Sequence, residues 1–289
     1  MIDSRDADNQ VYLNGAFTRL ADAKVSVLDR GFIFGDGIYE VVPVYEGRAF
    51  RMAEHLARLG RSLAALRIAP PLTVAQWEAL VAELVARSAE KTCLIYIQVT
   101  RGVARRDHAF PAQTPTPTVF AMATAFAPPN ATQREQGLSA ISIEDERWLH
   151  CEIKSVSLLG NVLAKQQAVD AGVFEAIQFR HDRLTEGSST NVWVVKDGVL
   201  LAPPRDNLIL EGIRYSFVLT LAQELGIDVQ VRAITRAEVA QADELMITSA
   251  SKEIVPIVQL DDKPVGSGKP GPVYAALRAG YDARIAALQ

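Results

Sequence analysis

The sequence predicts a mixed chain of the α/β or α+β class, built as one large domain or two modest ones. Three observations predict it. The 289 residues are 49% hydrophobic, which gives ample length and apolar material for a core. Segments that alternate every second residue are interspersed with segments of helical period. Consecutive prolines in Phe126-Ala127-Pro128-Pro129-Asn130-Ala131 interrupt both patterns and favour extended chain. The expected organisation is a small N-terminal domain over 1–125, a linker over 126–131 and a larger C-terminal domain over 132–289.

Composition excludes several classes. Net charge is −4 and the pI about 5.7. No run of basic residues is interleaved with aromatics, so nucleic acid is not an expected partner and small molecules are. The two cysteines, Cys93 and Cys151, lie far apart, and the N-terminal MIDSRDADNQ is polar, so neither a disulfide framework nor export is expected. No apolar run reaches the roughly 20 residues of a membrane helix. The expected compartment is the cytoplasm. Four scattered histidines (His55, His108, His150, His181) show no metal-ligand spacing, so no metal site is expected.

The elements follow in order. Residues 11–19 form two short strands around Asn14-Gly15, a strong hairpin signal. Three glycines among aromatics in Arg30–Gly37 mark a tight turn before a strand over Ile38–Tyr45. Met52–Arg67 carries Leu56, Leu59, Leu63 and Leu66 on one helical face, which leaves Arg58 off that stripe as an expected surface charge. Thr73 with Gln76 forms a capping box for a second helix that buries Val74, Trp77, Leu80, Val81, Leu84 and Val85. Thr92–Thr100 and Thr118–Ala125 are β-branched and aromatic strands. Between them, Arg106 and His108 stand two apart, so on extended chain they share a side and can hold an anion such as a carboxylate.

Beyond the prolines, Ile141 and Ile143 alternate into a strand, and Leu158, Leu159, Val162 and Leu163 follow at helical spacing as an expected buried stripe. Lys154 lies between them. A partly desolvated lysine keeps some free amine, the nucleophile that Schiff-base chemistry needs. Of eight lysines, Lys154 and Lys252 have the most apolar surroundings, and residue patterns alone leave both open. Glu175–Arg180 and Val192–Val195 are strands. Glu186 lies at the mouth of the second, where a carboxylate needs a cation or a hydrogen-bond donor. Gly212 opens a helix over Ile213, Phe217, Val218, Leu221 and Leu225, a start that suits a phosphate, and Gly226 stops it. Glu244–Ile247 is a strand leading to Thr248-Ser249-Ala250-Ser251, a hydroxyl-rich turn. Pro272–Leu288 is a terminal helix. Gly266-Ser267-Gly268-Lys269-Pro270-Gly271 matches the dinucleotide pattern, but too few residues follow it for the required βαβ unit.

RGFIFGDGIYEVV, ARRDHAFP, RWLHCEIKSVSLLGNVLAKQ and LTEGSSTNVWVVKDG, in that order, resemble the D-amino acid aminotransferases of the fold-type IV pyridoxal-phosphate enzymes, from about residue 10 to the C-terminus. The resemblance implies an α+β two-domain fold, with a small α/β domain and a larger β-rich, coenzyme-binding domain flanked by helices. It implies pyridoxal 5'-phosphate as cofactor, Lys154 as the amine that takes its aldehyde and shuttles the substrate proton, and Glu186 at the pyridine nitrogen. Arg58, Gly212, Ile213, Ser249 and Ala250 would meet the phosphate, which overturns the surface reading of Arg58, and Leu210 would back the ring. Tyr39, Arg106 and His108 resemble a trap for the substrate carboxylate, the last two contributed by the other subunit of a homodimer whose site lies at the subunit interface. Arg214 and Ala250 stand where the family usually has threonines; Arg214, or Ser249 with Ser251, is expected to compensate. The implied reaction transfers the amino group of a D-amino acid such as D-alanine to a 2-oxo acid such as 2-oxoglutarate, giving pyruvate and D-glutamate. Branched-chain L-amino acid aminotransferase and 4-amino-4-deoxychorismate lyase are the alternatives, and a non-catalytic protein of the same fold is disfavoured by the retained Lys154 and Glu186.

Overall fold

A computed structural model of the chain describes residues 8–288, so the polar start over 1–7 lies outside the described residues. The described residues divide into two compact units: one formed by residues 8–127 with 153–158, the other by 128–152 with 159–288. An α+β architecture in two units is thus what the chain adopts. The segment that carries Lys154 groups with the first unit.

In the first unit, β1 (Gln10–Leu13) and β2 (Ala16–Arg19) pair around Asn14 and Gly15, both at positive φ as a tight hairpin requires. The turn expected at Arg30–Gly37 contains a helical turn, α1 (Arg30–Phe34). Asp29 caps it through Gly31 N, and Gly35 ends it in the left-handed region. Then come β3 (Gly37–Tyr45), β4 (Arg48–Ala49), α2 (Met52–Ala65), α3 (Val74–Arg87), β5 (Cys93–Thr100) and β6 (Thr118–Ala125). The six strands form an antiparallel sheet in the order β2-β1-β6-β5-β3-β4. Val42, Val44, Ile95 and Ile97 meet Leu56, Leu59 and Leu63 of α2 and Trp77, Leu80 and Leu84 of α3 in one core. Each such side chain contributes on the order of 2 kcal/mol by leaving water.

The second unit contains α4 (Ala131–Glu135), β7 (Leu138–Glu144), α5 (Leu159–Asp170), β8 (Glu175–Arg180), β9 (Arg183–Gly187), β10 (Asn191–Lys196) and β11 (Val199–Ala202). It continues with α6 (Ile213–Glu224), β12 (Val229–Val231), α7 (Arg236–Ala240), β13 (Glu244–Ser249), β14 (Glu253–Leu260), β15 (Lys263–Pro264) and α8 (Pro272–Ala286). The nine strands form one mixed sheet, β12-β11-β10-β13-β14-β7-β8-β9, with β15 on β14. Ile177, Phe179, Val192, Val194, Ile247 and Val255 fill one face of it.

Several sequence expectations need correction. Val74 is 60% exposed, because as the first residue of α3 it precedes the turn that reaches the core. Leu159, Val162 and Leu163 are also exposed, and α5 buries Ala164 and Ala168 instead, since small side chains let the helix lie close to the sheet. Phe126 is no linker residue: it is buried, its ring 5.8 Å from that of Tyr45. Asn130 already caps α4. The dinucleotide-like glycines end at the start of α8, where the Glu244 carboxylate accepts from the amides of Val273 (2.9 Å) and Tyr274 (2.8 Å). A carboxylate of the chain itself fills the place a phosphate would take.

Candidate active site

The candidate residues fall into groups, each held within one unit. In the first unit the segment carrying Lys154 is laid against the start of β3. Tyr39 N donates to Lys154 O (3.0 Å) and Val156 N to Gly37 O (3.0 Å), and Ser62 Oγ of α2 accepts from Lys154 N (3.3 Å). Lys154 is half-buried, and its Nζ lies 4.0 Å from the centroid of the Tyr39 ring. A cation over an aromatic face is attracted by the ring quadrupole, so the amine is aimed before any ligand arrives. Tyr39 in turn stacks on Tyr96 at 5.8 Å, and burial pushes the Tyr96 hydroxyl up to about 12.

Glu40, the next residue of β3, points to the opposite face and is fully buried. Its carboxylate accepts from Arg58 Nε (2.7 Å) and Nη2 (2.9 Å) and is 2.8 Å from His55 Nδ1. Burial alone would raise Glu40, but the Arg58 charge and these bonds hold it well below the usual carboxylate range. Arg58 is therefore no surface charge: it is 5% exposed and held by a two-point ion pair. Arg106 and His108 are exposed side chains flanking one aromatic, with the Arg106 guanidinium 5.5 Å and the His108 ring 5.4 Å from the Phe34 ring.

In the second unit Glu186 lies in β9, buried. Arg147 Nη1 donates to its Oε1, while Leu210 N (2.9 Å) and Asn191 Nδ2 (3.3 Å) donate to Oε2. Asn191 Nδ2 also donates to Leu210 O (2.8 Å), so Glu186 and Leu210 are drawn together. Arg147 is shared with Asp145, which accepts from Nε (2.9 Å), Nη2 (2.8 Å) and Thr185 Oγ1 (2.8 Å). Burial would raise Asp145, yet the bonds from Arg147 and Thr185 hold it at about 2. Glu186 moves the other way. Burial pushes it up, and the nearby Asp145 charge adds to the rise that Arg147 only partly offsets.

Arg147, Asp145 and Asn191 are functional candidates that sequence reasoning missed. The available signal was the requirement that Glu186 have a buried partner, with Arg147 inside the same RWLHCEIKS stretch.

Gly212 is the N-cap of α6, and no side chain caps that helix. A Cβ at Gly212 would strike Asn191 Oδ1, so the position is cut to backbone size. An uncapped twelve-residue helix start beside a buried acid and a Cβ-free cradle fits a ligand that pairs a phosphate with a basic ring nitrogen. Ile213 opens that helix, buried. Ser249 Oγ accepts from Lys252 N (3.1 Å), and Ala250 is half-buried in the turn after β13. Arg214 is 1% exposed, and its guanidinium lies 5.6 Å from the Tyr281 ring of α8. The other apolar lysine, Lys252, lies 5.2 Å from the Phe174 ring, its amine lowered by burial and then by Lys165. Among the described residues no cluster could hold a metal ion and no helix is long and apolar enough to cross a membrane.

Comparisons with known proteins place the chain in a family. The amino-transferase class IV family matches residues 37–260. The D-alanine aminotransferase of Staphylococcus aureus (strain MSSA476) is 40% identical over 276 residues, covering 96% of this chain and 98% of that protein. That of Bacillus licheniformis is 41% identical over 264 residues, covering 91% and 93%. Among solved structures, the Escherichia coli branched-chain amino acid aminotransferase superposes with a TM-score of 0.90 at 25% identity, over 96% of this chain and 94% of that one. The branched-chain amino acid aminotransferase of T.th., complexed with N-(5'-phosphopyridoxyl)-L-glutamate, gives 0.89 at 29% identity, over 98% and 95%. By its family match and these near full-length relatives, the chain belongs to the class IV aminotransferases.

Proposed function

We propose that the protein is a pyridoxal-phosphate-dependent D-amino acid transaminase that moves the amino group of D-alanine to 2-oxoglutarate, yielding pyruvate and D-glutamate. Its near full-length identity to D-alanine aminotransferases carries the reading. Pyridoxal 5'-phosphate, when bound, supplies an aldehyde for a primary amine and a ring that withdraws electrons from the substrate Cα.

Lys154 Nζ is the amine that would hold the coenzyme aldehyde and would move the proton at the substrate Cα. Its position against Tyr39 fixes its approach. Glu186 would hold a proton at the ring nitrogen. A carboxyl whose proton affinity burial has raised is suited to sharing one with a weak base. The amides of Gly212 and Ile213, with Arg58, Ser249 and Ala250, would hold the phosphate, and Leu210 would lie against the ring. Tyr39, Arg106 and His108 bind the substrate carboxylate, which selects the face of Cα that Lys154 meets.

We infer a homodimer as the working form, with Arg106 and His108 serving the neighbouring copy. Apolar side chains support this: Leu159, Val162, Leu163 and Val169 are exposed along α5, and Val25, Val27, Leu28, Phe32 and Val103 are exposed in the first unit. The cytoplasm is the proposed compartment.

The test is to supply D-alanine, L-leucine or aminodeoxychorismate, the first two with 2-oxoglutarate. Pyruvate formed from D-alanine alone supports the reading. Consumption of L-leucine alone would transfer it to the branched-chain reading, the activity for which the structural neighbours are named. Borohydride reduction should attach the coenzyme to the peptide containing Lys154, and Lys154→Ala should abolish both attachment and turnover. Attachment at Lys252 would overturn the assignment.

A further inference from the structure

The loop that carries Arg106 and His108 has no regular structure of its own, yet its backbone is tied down from below. Arg30, the buried first residue of α1, donates Nη1 to the carbonyls of Asp107 (2.6 Å) and Ala109 (3.3 Å), and Nη2 to that of His108 (3.5 Å). Its Nε is held by Asp36 Oδ2 (2.8 Å). The same carboxylate takes Nε (2.8 Å) and Nη2 (2.9 Å) of Arg101, which also donates to the carbonyls of Leu66 (2.8 Å) and Arg67 (3.3 Å) after α2. Phe110 closes the loop, its ring centroid 3.8 Å from the Arg101 guanidinium and 4.8 Å from that of Arg67.

The cluster has two cations and one anion, all but removed from water. The surplus positive charge is met by backbone carbonyl dipoles, and three of those carbonyls belong to consecutive residues of the loop. Only a planar fork of donors can reach all three from one side chain. Asp36 fixes the plane of that fork. Burial opposes its charge, and the bonds from Arg101 and Arg30 bring it below the usual carboxylate range.

We propose that Arg30 and Asp36 are positioning residues of the substrate-carboxylate trap: they lock the backbone of residues 107–109 and so set where Arg106 and His108 point. The proposal rests on the reading of Arg106 and His108 as that trap. Neither Arg30 nor Asp36 touches substrate; both act through the loop. Phe34, on the same short helix as Arg30, spaces the two trap side chains.

The experiment compares the holoenzyme with Arg30→Lys, Asp36→Asn and Arg106→Ala. It measures KM and kcat for D-alanine, coenzyme retention on gel filtration, and hydrogen exchange of amides 105–110. Arg30→Lys keeps the charge and removes the fork. It should raise the KM for D-alanine about tenfold, since small misplacements of positioning groups weaken oriented binding. With it, kcat should change less than about threefold, coenzyme retention should hold, and exchange in the loop should speed up. Asp36→Asn should act in the same direction, and if it does not fold, Arg30→Lys decides alone.

Unchanged KM together with unchanged loop exchange in Arg30→Lys overturns the proposal, as does a parallel loss of coenzyme. Arg106→Ala separates the two levels. If it leaves KM unaltered, the trap reading fails and the proposal falls with it. If it raises KM while Arg30→Lys does nothing, only the positioning role is lost.

Discussion

Two buried glutamates, one in each unit, face arginines and move in opposite directions. Glu40 is gripped at two points by the Arg58 guanidinium, with His55 beside it, so its charge is fixed. Glu186 has part of one guanidinium, because Asp145 takes two of the three Arg147 nitrogens, and its proton affinity rises. The difference lies in how many carboxylates share each cation. An acid gripped at two points by one guanidinium is a brace, whereas an acid that shares its arginine with a second carboxylate keeps room for a proton.

The largest break in this contrast should come from Arg147→Met. It leaves Glu186 buried without its arginine and Asp145 to Arg180, whose Nη2 lies 3.1 Å from Oδ1; the loss costs about 3–5 kcal/mol of stability and should show in urea unfolding at neutral pH. Next, Glu186→Gln should keep the fold while kcat drops by about a hundredfold, since on the proposed reading an amide cannot hold the ring proton. Single-turnover kinetics with D-alanine would show the fall, and unchanged kcat would remove Glu186 from the chemistry.

Asp145→Asn sharpens the contrast through pH. Asp145 has its ordinary value of 3.8 lowered to about 2, so the stability it contributes is complete above the ordinary value and lost as pH falls toward 2. The variant should lose about 2 kcal/mol at neutral pH relative to the parent, and the gap should close in acid. The same change returns Arg147 to Glu186 and should lower the apparent pKa of that carboxyl, read by infrared titration. The smallest effect is His55→Phe, which removes one of Glu40's partners, at about 1.5 kcal/mol by thermal unfolding.

What the sequence revealed was what local physics determines. The Asn14-Gly15 hairpin, the Thr73 capping box of α3 and the leucine stripe of α2 each depend on residues within a few positions of one another. The stripe on α5 has the same appearance whether it faces a core or lies open, so periodicity placed Leu159, Val162 and Leu163 on the wrong side. Arg58 looked like a surface charge because the carboxylate that buries it, Glu40, belongs to an earlier strand. The partner of Glu186 was foreseeable as a need, but not as Arg147, which stands 39 residues away. Patterns also left Lys154 and Lys252 equal. Their surroundings come from distant parts of the chain, Tyr39 for the one and Phe174 for the other.

The mixed sheet has a consequence for how the polypeptide is made. Strand β7 is flanked by β8 and β14, and β14 begins roughly 110 residues after β7 ends. At about 5–20 residues per second a ribosome needs on the order of ten seconds to deliver that neighbour. Until then an apolar strand waits with one edge open, so nascent chains of this enzyme should be most exposed to chaperones and to aggregation late in synthesis.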